Sequence, residues 1–339
     1  MGNQISNHKN KGYSKPSIIF SLTAAYIPVL VYVVFVWWLD RYEREPIPLI
    51  AIAFAWGAFG SFIIAMVFEL LLNEPLNLLL TLEESSSLLS FTLGPAIEET
   101  AKALLLFALF FYYSFDDVTD GIVYGAIVGF GFSASENLLS FMSSYFTMGA
   151  SAWIATIILR LMVTSLAHGV FTAMVGAGLG FIKTNRIKKQ RHLDTLMIPL
   201  TLLAAIMLHS LFNVGVLLTQ YLNPLFILIN IALVLAGVTI LLLVMFIYLE
   251  AESHLIKKML YPELVNGFII EGEYNIIPYY LSRKKASRTI SKKHGKEGKN
   301  LLDKLFYLET RLAFKKKHLT EPYSGELEDT DARIKKNKR

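Results

Sequence analysis

The sequence contains no cysteine in 339 residues. Disulfides, thiol nucleophiles and thiolate-ligated metals are excluded on that ground alone. Charge is also scarce: Asp, Glu, Lys and Arg make up 17% of the chain, against about 25% in ordinary soluble domains. The charge that is present sits at one end, because 20 of the 32 Lys and Arg follow residue 249, together with 13 of the 27 Asp and Glu. The net charge of +5 therefore belongs to a C-terminal tail. A basic tail behind apolar segments argues for the cytoplasmic face of a membrane and against nucleic acid as a partner. Nor does the N-terminal stretch read as a cleaved leader. The first apolar run, 18–39, is too long for a signal peptide, and Asp40-Arg41-Tyr42-Glu43-Arg44 follows it instead of a small-residue cleavage site.

What remains is apolar: 54% of residues are hydrophobic and the mean hydropathy is +0.48. A spanning helix needs about 20 mostly apolar residues. Runs of that kind fall at 18–39, 49–72, 87–113, 118–142, 152–182, 196–220 and 224–249. In lipid such runs must satisfy their own backbone, so the expected fold is all-α, a polytopic transmembrane helix bundle. Three regions are expected: an N-terminal segment (1–17), a membrane domain (18–249) and a basic region outside the bilayer (250–339), disordered over its last 20 residues. Five basic residues between Lys183 and Arg191, and the tail itself, orient both toward the cytoplasm. Seven spans then put the N-terminus outside, against the pull of Lys9, Lys11 and Lys15. An eighth span would remove that conflict. In the tail, Leu301, Leu302, Leu305, Phe306, Leu308 and Leu312 form a helical apolar stripe. It suits either the inner membrane surface or a small domain of its own.

Gly121, Gly125 and Gly129 recur every fourth residue on the fourth run, and Gly176 and Gly180 do so on the fifth. Small residues at that spacing let helix backbones approach closely in lipid. The same helices carry polar groups. Glu98, Glu99 and Lys102 lie within the third run, and each charge costs about 2.5–3.5 kcal/mol at a bilayer centre even on the gentlest scale. Glu98 and Lys102, four residues apart, should pair; Glu99 points about 100° away and has no such partner in its own helix. Glu136 and Asn137 follow on the fourth run, His168 on the fifth, and His209 with Asn213 one turn later on the sixth. At helical rise, Glu98 and His209 lie about 16 Å below the outer ends of their runs, Glu136 about 9 Å and His168 about 24 Å. Convergence of the four therefore requires tilt or bending. Intramembrane ionisable residues mark functional sites or, less often, packing pairs.

These residues, in this order, resemble the PrsW family of intramembrane proteases, distant relatives of the CAAX prenyl endopeptidases and the Abi proteins. Glu98-Glu99-x-x-Lys102 is similar to the family's first motif and Phe132-x-x-x-Glu136-Asn137 to its second. His168 and His209-x-x-x-Asn213 resemble the histidine motifs that follow, and Arg44-Glu45-Pro46 the first loop. The resemblance covers roughly residues 20–220. It implies hydrolysis of peptide bonds in or beside the bilayer, with membrane-tethered proteins such as anti-sigma factors as substrates, in a bacterial plasma membrane.

Two mechanisms fit these residues. In one, Glu98 (or Glu99), Glu136, His168 and His209 surround a zinc ion that activates water. In the other no metal takes part: Glu98 activates water with help from Glu136, while His209 and Asn213 hold the developing oxyanion. Lys102 and Asn137 support either arrangement. The competing classes are an ion or proton transporter and a membrane scaffold built on the same buried charges. Against transport, the two halves of the chain carry no repeat.

Overall fold

A computed structural model describes residues 15–42, 44–112, 114–185 and 191–320, and every regular element among them is helical. Helix α1 is Lys15–Leu39. Helix α2 (Ile47–Ala55) runs through a π turn (Trp56–Ser61) into α3 (Phe62–Leu79), and α4 (Leu82–Leu88) runs through a second π turn (Leu89–Leu93) into α5 (Gly94–Leu109). Helix α6 (Val118–Met148) is unbroken. Helix α7 (Ala150–Leu159) passes through a third π turn (Arg160–Thr164) into α8 (Ser165–Asn185), and α9 is Arg191–Tyr221. Beyond a 3-10 turn, α10 (Ile227–Val265), the short α11 (Glu271–Tyr274) and α12 (Tyr280–Thr320) complete the chain, with α12 broken at Gly295. The tail's last 20 residues lie almost wholly outside the described residues, as do Lys9 and Lys11.

Six helical rods are long and apolar enough to cross a membrane: Ile18–Leu39, Ile47–Leu79, Val118–Met148, Ala150–Thr184, Leu196–Tyr221 and Pro224–Val265. The third expected span departs from this. It begins at Leu82, ends at Leu109, is interrupted by a π turn, and carries Glu98, Glu99 and Lys102. It is the charged rod of the bundle. Large apolar side chains such as Phe20, Val31, Leu200, Leu228 and Phe246 point outward, as helices solvated by lipid require.

The two ends of α1 fix its direction. Near its start, the Trp153 indole N–H donates to Ser21 Oγ (3.2 Å) and Phe20 meets the same ring edge-on. Just beyond its end, the Tyr42 hydroxyl donates to the Pro278 carbonyl in the tail (2.8 Å). The start of α1 therefore lies beside the turn at Gly149, on the face opposite the tail. That is the arrangement expected of seven rods, and among the described residues no eighth is present.

Helix α6 is the axis of the bundle. Asp117 caps it, accepting from the amides of Thr119 and Asp120 (2.7 and 3.2 Å), and Gly149 ends it at a φ of 86°. Every residue from Val118 to Ser135 is buried. The glycine pattern explains how. A methyl group on Gly121 would stand 2.0 Å from the Gly176 carbonyl oxygen, and one on Gly129 2.2 Å from that of His168. The backbones of α6 and α8 are thus in contact. On another side of α6, Gly131 admits the Phe54 carbonyl and Gly57 that of Val128 just as closely.

Helix α10 runs on without a break past residue 249 to Val265. Its last turns carry a second core, in which Ile256 and Leu260 pack with Phe306, Ala313 and Phe314 of α12. The apolar stripe of the tail is divided by this contact: Phe306 is buried, while Leu301, Leu305, Leu308 and Leu312 stay exposed.

Gly121→Ala should lower unfolding stability by about 1–3 kcal/mol, because the methyl group meets backbone that cannot move aside. Gly272→Ala, with nothing within 4 Å, should stay within about 0.5 kcal/mol of the parent. Thermal unfolding in detergent compares the two.

Candidate active site

The charged rod supplies the first three groups. Lys102 is completely buried, and its ammonium donates to Glu99 Oε1 (2.7 Å), Glu98 Oε2 (3.3 Å) and His168 Nδ1 (3.0 Å). All three of its hydrogens are therefore spoken for. The Phe132 ring lies against it, 3.8 Å from Nζ to centroid. The expected Glu98–Lys102 pair is present, but the expectation that Glu99 lacks a partner in its own helix is overturned. Residues three apart are also neighbours on a helix, and Glu99 is the tighter of the two partners.

Glu99 is fully buried and saturated. Oε1 also meets His209 Nδ1 (3.0 Å), and Oε2 accepts from the Thr172 hydroxyl (3.1 Å). Glu98, with 17% of its side chain exposed, keeps access to the outside. His168 bridges the two halves of the cluster, since its Nε2 lies 2.7 Å from Glu136 Oε2. An ammonium can only donate, so His168 Nδ1 accepts from Lys102 and its Nε2 hydrogen goes to Glu136. By the same reasoning His209 donates through Nδ1 to Glu99, and a neutral ring keeps its Nε2 lone pair. The two imidazoles sit edge to face with centroids 5.0 Å apart, and Phe171 stacks on His209 at 4.9 Å.

One ligand atom each from Glu98, Glu99, His168 and His209 falls within 4.8 Å of the others. Two carboxylates and two imidazoles are the donor chemistry that zinc takes, so the residues fit a metal once the Lys102 ammonium, bonded here to Glu98, Glu99 and His168, moves off those atoms. The expected set had Glu98 or Glu99 with Glu136; here both Glu98 and Glu99 offer an atom, while Glu136 stands behind His168 and pairs with Arg160 Nη2 at 2.6 Å. Helix α6 also runs to Met148 rather than ending near 142. Glu136 is thus twelve residues from that end of its helix instead of six, which narrows the depth mismatch. Asn137 is buried and holds α6 to α8, donating to Ser165 Oγ (2.8 Å) and accepting from Arg160 Nε (2.8 Å). Asn213 is not in the cluster. Its amide donates to the Ser90 carbonyl in the second π turn (2.8 Å), which ties α9 to the charged rod below α4.

Three groups escape a reading by motif. Arg160 and Glu69 are ionisable residues inside apolar runs, the same signal that marks Glu98, and could have been found by it. Arg160 sits at the start of a π turn, a distortion that often accompanies functional sites. Glu69 Oε1 lies 3.6 Å from the position of a Cβ on Gly94, at the start of α5. Thr172 carries no such signal, since a threonine in a membrane helix usually bonds its own backbone.

Fold and site together define a class: a polytopic helical membrane protein with a buried centre of metal-ligand composition. Comparison with known proteins gives the family. The model of the PrsW family intramembrane metalloproteases matches residues 45–249, and the chain belongs to that family. The chain is 30% identical over 192 residues to Protease PrsW of Clostridioides difficile (strain 630), covering 56% of this chain and 76% of that one. It is 28% identical over 178 residues to Protease PrsW of Geobacillus kaustophilus (strain HTA426), covering 51% and 72%. No solved structure matches. The protein is a multi-pass membrane peptidase, its relatives are bacterial, and its substrates are membrane proteins. The transporter and scaffold alternatives are thereby set aside.

Lys102→Met leaves Glu99 buried without its cation and should cost about 3–5 kcal/mol of stability. Adding Glu99→Gln should recover part of that loss. Denaturant unfolding in detergent measures both, and a double variant no better than the single would contradict the pairing.

Proposed function

We propose that the cluster of Glu98, Glu99, His168 and His209 is the hydrolytic centre. Its substrates are membrane-tethered proteins, with anti-sigma-factor-like proteins as the leading class. The observation that carries this reading is the convergence of those four donor atoms inside a membrane bundle. The metal we propose is zinc, held by Glu99, His168 and His209, with Glu98 beside the open fourth position. When bound, it supplies Lewis-acid activation of water and of the scissile carbonyl.

The roles of the side chains follow from their partners. Glu98 is the general base, because it alone of the buried pair has a route to water. Glu99 orients His209 and anchors Lys102, with both its oxygens engaged. Glu136, fixed by Arg160, holds the His168 ring in the tautomer that turns Nδ1 toward the centre, a supporting role that ligand histidines commonly need. Lys102 provides positive charge among the same donors and offsets the two carboxylates where negative charge builds up on the substrate. Asn213 acts at a distance, by setting the register of α9. We further propose that the tail face, which carries the basic loop after Lys183 and the basic α12, is cytoplasmic, and that residues 250–339 form a unit appended to the membrane domain.

The test is cleavage of a panel of co-expressed single-pass membrane proteins by the wild type, Glu98→Gln and His209→Ala at equal expression. Wild-type cleavage that falls by about a hundredfold or more in both variants is expected. Equal cleavage by all three would remove the cluster from the reaction. Removal of metal by a chelator should abolish the same cleavage and lower the unfolding temperature of the wild type more than that of His209→Ala.

A further inference from the structure

The seam between the membrane bundle and the tail encloses a cavity of about 730 Å3, within the size range of small-molecule sites. Its walls are the loop after α1, the residues just before α6, and one face of α12. The matched family region ends at residue 249, so the α12 wall is supplied by the appended tail.

The charges around this cavity are unevenly satisfied. Each of its carboxylates is engaged through at least one oxygen, with Glu45 Oε1 left buried without a partner. Asp116 pairs with Lys317 (3.2 Å), and Asp120 accepts the amides of Asp116 and Asp117. Glu45 accepts the Tyr124 hydroxyl (2.5 Å), and Asp303 is held by Ser287 and Lys299. Its cations are different. Among the described residues, Arg41, Arg44, Arg283, Lys284 and Arg311 form no ion pair.

Two of the five are built in place. Arg41 is sandwiched between Trp38 and Tyr280, with its guanidinium 5.6 and 4.8 Å from the ring centroids, and its Nε is buried without a partner. Arg283 lies over Tyr42 at 5.3 Å, donates through Nε to the Ile277 carbonyl, and leaves Nη2 buried without a partner. Burial pulls the Arg283 guanidinium down to about 10, the mark of a cation held out of water. A desolvated guanidinium with free donors is costly unless an anion completes it, and its planar fork fits phosphate oxygens. The position fits as well. Trp37 and Trp38 end α1 at the depth where aromatic residues meet lipid headgroups.

We propose that this cavity binds a phosphate-bearing anion, gripped by Arg41 on the bundle side and Arg283 on the tail side, so that the ligand joins the two. The phosphate belongs either to an anionic phospholipid headgroup or to a soluble phosphorylated molecule, and both present the same group to the two guanidinium ions.

The experiment uses the full chain in detergent, with thermal unfolding and native mass spectrometry as readouts. The probes are phosphatidylglycerol, phosphatidylcholine and inorganic pyrophosphate. Stabilisation and retention by phosphatidylglycerol alone would support the site and assign it to lipid. Stabilisation by pyrophosphate in phosphatidylcholine micelles would support it and assign a soluble ligand. In either case, the apparent affinity should fall about tenfold in Arg41→Gln/Arg283→Gln, for loss of charge-assisted hydrogen bonds. Lys284→Gln/Arg311→Gln, on the exposed rim, should weaken binding too and keeps the test intact if the first pair does not fold. Lys292→Gln/Lys293→Gln, which removes equal charge elsewhere on α12, should leave it unchanged. No stabilisation by any anion, an undiminished response in both cavity variants, or an equal loss in the control pair would overturn the proposal.

Discussion

The contact on which the rest of this structure depends is the one between the backbones of α6 and α8. With Gly121 against Gly176 and Gly129 against the His168 carbonyl, the two helices approach more closely than any side chain would allow. In lipid there is little hydrophobic drive to bring helices together, so such contacts rest on packing and on polar bonds across the interface. Here both occur along one seam. The glycines close the tail half, and Asn137, Ser133 and Ser165 lock the other half with hydrogen bonds of 2.8 to 3.3 Å. Because His168 belongs to this seam, its ring is held at a fixed height beside Glu136 and Lys102.

The charges follow from that geometry. A lysine ammonium and several carboxylates inside a membrane bundle are tolerable only if every hydrogen and lone pair finds a partner. Lys102 meets that condition with three acceptors and an aromatic face. Glu99 meets it with a lysine, a histidine and a threonine drawn from three helices. The cluster is therefore both a packing device and a chemical one. Substitutions in it should be judged first for the charge they strand, and only then for the chemistry they remove.

Much of this was legible in the sequence. The apolar runs, the order of the charged motifs and the glycine spacing are local properties, and the helices carry them where expected. The family resemblance rested on four motifs in order, and the family match stands. The misses were matters of partners and ends. Glu99 gained a neighbour because a helix offers both i+3 and i+4 positions. Glu136 lies deeper than expected because only Gly149, a residue with positive φ, stops α6. Asn213 turned away from the cluster because the π turn at Ser90 exposes a carbonyl oxygen that no periodicity reveals. Arg160 was legible by the rule that flagged Glu98, and went unread because it belongs to no motif. The tail contact with the first loop joins residues more than 200 positions apart, and nothing local announces it.

The central claim is that four side chains from three helices form one metal-holding hydrolytic centre. The most direct test is the metal content of the purified chain, measured by mass spectrometry after equilibration with buffered zinc, for the wild type and for His168→Ala/His209→Ala. The account predicts stoichiometric zinc in the wild type and its loss in the variant, with helical content unchanged. A wild type that binds no zinc, or a variant that holds as much, would contradict it.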